Sequence, residues 1–162
     1  MEAIKYEASM TSVVDRLAHA MLTAKEESRA RVRRELEPRK ALAYLRTASD
    51  EQPRRRTDEV KQTRASVTAA RQLRAELVAE HMDVGVSGNT WDRSALNQIM
   101  DRLLQEGDIT YVIIPNAATL SRNLQVFTSL KQEIECHGVR LVIADQPETI
   151  RRVRTLRKRV MM

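Results

Sequence analysis

The sequence is most informative at first through what it has little of. Cys136 is its one cysteine, which excludes an internal disulfide and any Cys-based zinc site. One Trp, one Phe and three Tyr make aromatics scarce, so a core must be built mainly from Leu, Val, Ile, Met and Ala. No apolar run reaches the ~18 residues that a membrane-spanning helix needs, which excludes a membrane partner of that kind. The first residues lack a basic-then-apolar signal pattern, so a cytoplasmic, reducing compartment is expected. His19, His81 and His137 fall on different predicted elements without ligand spacing, so neither a metal nor a cofactor is expected.

What the chain does have is positive charge, unevenly placed. The formal net charge is +6 over 162 residues, a length that suits one domain plus an extension. Residues 29–74 carry 14 basic and 6 acidic side chains, whereas residues 75–147 carry 5 and 10. Residues 148–162 are again basic, with 6 against 1. Two arginine-rich blocks flanking an acidic body point to a polyanion partner, nucleic acid first among them. The alternative is an arginine-rich surface that is merely solvated.

Taken in order, the pattern alternates between helix and strand. Residues from about Ser12 to Leu36 read as one helix, capped by Thr11 or Ser12 and closed by Pro38. Val13, Val14, Leu17 and Met21 give it an apolar stripe, suited either to packing on its own domain or to pairing between protomers. The run Ala41-Leu42-Ala43-Tyr44-Leu45 predicts a buried strand that ends by presenting Arg46, Thr47 and Ser49. Pro53 with Arg54, Arg55 and Arg56 reads as a basic loop, and Thr57 as the start of a helix running to about Leu73. A second strand is expected from Ala75 to Met82, then a glycine-containing loop over 83–90. Asp92 is placed to cap a helix whose inward residues are Leu96, Ile99, Met100, Leu103 and Leu104, with Gly107 as its C′ glycine. Ile109 to Ile114 is the strongest strand, followed by a loop over 116–119.

A further helix carries Leu124, Phe127, Leu130 and Ile134 and closes at His137-Gly138, with Cys136 expected to be an inert, half-buried thiol. Val139 to Ala144 is another strand, and Pro147 opens a last, very basic helix. The fold class is therefore α/β, a mainly parallel sheet with flanking helices. An N-terminal helical extension (1–38), a central domain (39–148) and a basic C-terminal helix (149–162) complete the organisation.

Three separated stretches, in order, carry a resemblance. They are Tyr44-Leu45-Arg46 with Gln52, then Asp83-Val84-Gly85-Val86-Ser87-Gly88 with Asp92-Arg93-Ser94-Ala95-Leu96, and last Leu120-Ser121-Arg122-Asn123. Together they resemble the motifs of the serine recombinases (resolvases and invertases). Those motifs are Tyr-x-Arg-x-Ser-x-x-x-Gln, an acidic-x-Gly-x-Ser-Gly loop with Asp-Arg-x-x-Leu, and Asp-Arg-Leu-Ser-Arg-Asn. The resemblance runs from about Lys40 to Glu148 and implies a resolvase-like fold. It also implies a serine that forms a phosphoserine bond to DNA, with arginines from all three motifs converging on the phosphate. Covalent phosphoryl transfer needs an oxygen nucleophile in line with the leaving oxygen and fixed guanidinium groups around the transition-state charge. In this family the helix after the last strand commonly dimerises and lies over the minor groove.

The departures fall on the reacting groups. Ala48 stands where the family keeps its serine, and Ala118-Thr119 stand where it keeps Asp-Arg. No catalytic residue is expected, only a vestigial site of Tyr44, Arg46, Ala48, Ser49, Gln52, Ser87, Arg93, Ala118, Thr119 and Arg122. Ser87 reads as a loop residue, since no His-Asp partnership accompanies it. The expected phosphate contacts are Arg46, Arg93, Arg122, the Arg54-Arg55-Arg56 cluster, and Arg151, Arg152, Arg154, Arg157, Lys158 and Arg159. The leading expectation is a non-catalytic, oligomeric, DNA-associated protein that regulates transcription or recombination. Its partners would be DNA, further copies of itself, and another recombinase or regulatory protein. Two alternatives stay open: a protein–protein assembly module with solvated arginines, and an active recombinase using Ser49 or Thr47.

Overall fold

The computed structural model describes residues 13–29, 39–48, 52–87 and 93–160, with the backbone alone at 52, 53 and 154–160. The chain divides into two compact units, Met1–Pro38 and Arg39–Met162. Within the first, residues 13–29 form helix α1. The apolar stripe of α1 is exposed at Val14, Leu17 and Met21. The expected cap at Thr11 or Ser12, the continuation to Leu36 and the stop at Pro38 lie outside the described residues.

The second unit runs β1 (Arg39–Thr47), α2 (Gln52–Leu73), β2 (Ala75–Val84), α3 (Ser94–Gln105), β3 (Ile109–Ile114), α4 (Ala117–Leu120), α5 (Leu124–Cys136), β4 (Arg140–Ile143) and α6 (Pro147–Val160). The four strands form one sheet in the order β2-β1-β3-β4, with every neighbouring pair parallel. Parallel strands need covered faces, and side-chain alternation supplies two of them. Leu42 and Tyr44 of β1, Val112 and Ile114 of β3, and Leu141 and Ile143 of β4 pack with α3 and α5 through Leu96, Ile99, Leu103, Leu130 and Ile134. Ala41, Tyr111, Ile113 and Val142 point the other way, onto Ala69, Ala70 and Leu73 of α2 and Ile150 of α6. The small alanines of α2 let that helix lie close to the sheet. The two largest fully buried side chains are nonetheless tyrosines, Tyr44 and Tyr111. Each has a partner for its hydroxyl: Tyr111 accepts from Arg39 Nη1 at 2.6 Å and Tyr44 donates to Asp83.

Several boundaries differ from the sequence reading. The Arg54-Arg55-Arg56 segment is helical, because α2 begins at Gln52 rather than at Thr57. Pro53 sits in the first turn, where its missing N–H would have had no helical partner anyway. The loop expected over 116–119 contains the short helix α4, nucleated by Asn116, whose side chain accepts from Thr119 N. Gly107 lies in the turn after α3 without the left-handed backbone of a C′ glycine, and Glu106 caps the helix in an extended conformation. Leu104 and Leu124, expected inside, are 70% and 77% exposed. Cys136 is exposed rather than half-buried. Gly138 does close α5 with a φ of 78°.

Candidate nucleic-acid site at the sheet's C-terminal edge

The connection from β1 to β2 passes over one face of the sheet and the connection from β2 to β3 over the other. This leaves a crevice between the C-terminal ends of β1 and β3, the place where ligands bind in open parallel sheets. Two of the three resembling motifs end there, and the second reaches it from β2.

Arg46, near the end of β1, ties those pieces together. Its Nε donates to the Thr119 carbonyl at 3.0 Å, Nη1 to the Val86 carbonyl at 2.7 Å and Nη2 to the Ala118 carbonyl at 2.8 Å. One planar guanidinium thus joins the loop after β2 to helix α4 after β3. Burial lowers its pKa, and the neighbouring charges of Arg93 and Arg122 push the same way against Tyr44 and Asp83. The three arginines assigned to the phosphate by resemblance therefore do gather at one edge. Their surroundings differ. Arg93 is 2% exposed and donates to the Leu120 carbonyl, whereas Arg122 is exposed.

Behind Arg46 lies a buried polar pair. Tyr44 Oη donates to Asp83 Oδ2 at 2.9 Å, and Asp83 Oδ1 accepts from the Ala95 N–H at 2.9 Å. Burial, then the Asp83 charge, pushes the Tyr44 hydroxyl pKa well above its ordinary value. Asp83 therefore supplies a cap to the first turn of α3 from a different element, a role the sequence reading gave to Asp92, which lies outside the described residues. The structure adds Asp83 and Gln62 to the residues that build this edge. Asp83 is the acidic position of the second motif, so a signal for it existed. Gln62 is one amide in a polar helix and has none.

The remaining predicted positions can be placed one by one. Ala48 is exposed just beyond β1. Thr47, weighed as a substitute nucleophile, is 2% exposed with its hydroxyl unpartnered by the described residues, so it does not open onto the crevice. Thr119 is 4% exposed, and its hydroxyl bonds to Asn116 at 3.2 Å. Ala118 and Ser87 are exposed. Ser49 and the Gln52 side chain lie outside the described residues. Arg54 and Arg56 are exposed on α2 and Arg55 is partly buried, while Arg151 and Arg152 are exposed on α6. The side chains of Arg154, Arg157, Lys158 and Arg159 are outside the described residues. Among the described residues no group of three or more His, Cys, Asp or Glu could hold a metal ion, and no helix is long and apolar enough to cross a membrane.

A four-stranded, all-parallel sheet covered by helices on both faces matches the fold of resolvase-like catalytic domains. Residues 41–162 match the family model "Resolvase, N terminal domain", and the chain belongs to that family. Among solved structures it is similar to the N-terminal catalytic domain of TP901-1 integrase, at 12% identity and a TM-score of 0.61, over 76% of this chain and 100% of that one. It is also similar to a resolvase family site-specific recombinase from Streptococcus pneumoniae, at 19% identity and a TM-score of 0.56, over 76% and 90%. The C-terminal catalytic domain of ISC1926 TnpA, an IS607-like serine recombinase, is similar at 20% identity and a TM-score of 0.56, over 65% and 67%. At these identities the likeness is one of fold. No curated protein matches the sequence.

Proposed function

We propose that this chain is a non-catalytic serine recombinase that associates with DNA, oligomerises, and regulates transcription or recombination from the cytoplasm. The observation that carries the reading is the state of the crevice. The nucleophile position is Ala48, and the Arg46 guanidinium is spent on the carbonyls of Val86, Ala118 and Thr119 rather than held open for a phosphate. Removing one oxyanion-stabilising donor costs about 10²–10³ in rate, and without a nucleophile there is no covalent route. The scaffold around the lost groups persists, as expected of a domain kept for assembly and DNA association. Residues 1–38 would then serve as a helical extension and residues 149–162 as a basic arm. Another recombinase or a regulatory protein is a fitting partner.

The test is an incubation of the full chain with labelled duplex DNA, split between native electrophoresis at several salt concentrations and denaturing electrophoresis. The expected result is non-covalent binding that weakens steeply with salt and no covalent protein–DNA band. A covalent band that disappears in Ser49→Ala would establish the active-recombinase reading instead. No DNA binding at low salt would favour a module that assembles only with protein.

A further inference from the structure

The inner side of α2 is formed by Ser66, Ala69, Ala70 and Leu73, all buried. At about 100° per residue, Arg54, Lys61, Arg64 and Arg71 fall within one sector of roughly 100° on the opposite side, with Thr57 and Thr68 between them. All six are exposed. Asp58 lies just outside one edge of that sector, and Glu59 on the inward half of the helix. From Arg54 to Arg71 the row is roughly 25 Å long at 1.5 Å per residue. The layer on the other face of the sheet has the opposite sign at its surface, exposing Asp101 on α3, Glu106 at its end and Glu133 on α5. Helix α6, which shares the α2 side of the sheet through Ile150, exposes Arg151 and Arg152. The charge is therefore sorted by layer, and this row sits apart from the Arg46 crevice in the chain and in its chemistry.

The sector is dominated by guanidinium, ammonium and hydroxyl donors, with the Gln72 amide at one edge and the exposed Val60 just beyond the other. Contacts from such groups to phosphate oxygens carry no sequence information. A membrane-surface helix would need a broad apolar face beside its cations, whereas Val60 is the single large apolar side chain exposed among the described residues of α2. A duplex presents phosphates at about 3.4 Å of rise per strand, so a row of this length spans roughly seven base pairs.

We infer that the outer face of α2, through Arg54, Lys61, Arg64 and Arg71, is a sequence-independent contact surface for the phosphate backbone of duplex DNA. This inference rests on the DNA association proposed above and assigns it to a surface. The experiment uses the full chain and a quadruple Arg54→Gln, Lys61→Gln, Arg64→Gln, Arg71→Gln variant, since glutamine keeps helix propensity close to that of arginine and lysine. Far-UV circular dichroism establishes that the variant is folded. Affinity for two unrelated duplexes is measured between roughly 50 and 200 mM salt.

The expected result is a slope of log K against log salt that is shallower by about 3–4 in the variant, equally for both duplexes. A control, Arg102→Gln with Lys131→Gln and Arg140→Gln, removes cations from the rest of the surface and should change the slope little. Wild-type affinity and slope in the quadruple variant, with DNA still bound, would overturn the assignment to α2 alone. An equal change in the control would overturn it too, reducing the effect to net charge. Wild-type protein that ignores both duplexes, or prefers vesicles rich in phosphatidylserine, would overturn the DNA reading itself.

Discussion

Gln62 holds the main chain of Arg46 by both of its polar groups. Its Oε1 accepts from the Arg46 N–H at 3.1 Å, and its Nε2 donates to the Arg46 carbonyl at 3.0 Å. Pairing between β1 and β3 ends at Ala43, so beyond that point β1 has lost a neighbour on one side. An amide side chain from α2 stands in for the missing strand and fixes the residue whose guanidinium joins two loops.

Gln62→Met keeps the side chain's length and removes both hydrogen bonds, leaving two partly buried backbone groups unpaired. A loss of about 1–3 kcal/mol is expected in urea unfolding, with the denaturant slope unchanged. Gln62→Glu keeps the acceptor alone and should recover part of that loss.

Arg46→Lys retains the charge but loses the planar fork that reaches three carbonyls at once. The expected cost is about 1.5–3 kcal/mol in thermal or urea unfolding. Faster amide exchange should be confined to residues around Val86 and 118–121, read by NMR. Unchanged exchange there would show that the guanidinium does not join the loops.

The Tyr44–Asp83 pair makes stability depend on alkaline pH. The folded-state pKa of Tyr44 is raised above its ordinary value of about 10. Its contribution is therefore complete below pH 10 and declines as pH rises past that value, because the unfolded chain ionises first. Tyr44→Phe should flatten this alkaline decline, and should itself cost about 1–3 kcal/mol at neutral pH by leaving a buried Asp83 oxygen without its donor. Unfolding free energies of both proteins between pH 7 and about 11 decide it.

Arg74, between α2 and β2, has a φ of 54°, in the left-handed region that ordinary side chains disfavour. It is the position after a helix at which glycine is most at ease. Arg74→Gly should raise stability by about 0.5–1 kcal/mol, measured by urea unfolding. A decrease would show that the arginine side chain offsets its backbone strain.

Local signals in the sequence account for much of this fold. The β-branched run of β3 needs no context to be seen, and α5 announces itself through Phe127, Leu130 and Ile134 and through Gly138 at its end. Some misses were local signals too short to stand out, and others depended on main-chain partners. Pro53-Arg54-Arg55-Arg56 resembles a loop until one sees that a proline suits a first turn. The four residues of α4 are too few for periodicity and are held by the Asn116 cap and by Leu120, which is fully buried. At the crevice, the position of Arg46 was legible because it belongs to a motif. Its partners were not, because the carbonyls of Val86, Ala118 and Thr119 are main chain and carry no residue-type signal.

The strand order also sets a timetable for synthesis. β1 is the first strand of its unit to be made and lies inside the sheet, between β2 and β3. Once Val84 has emerged, β2 can cover one edge of β1, but the other edge waits for Ile114. At roughly 5–20 residues per second that interval lasts on the order of 1.5–6 s. Throughout it the apolar stretch from Ala41 to Leu45 has one unpaired side, an opening for mispairing with a neighbouring nascent copy. The hazard of this architecture is one of timing, and it ends when β3 arrives.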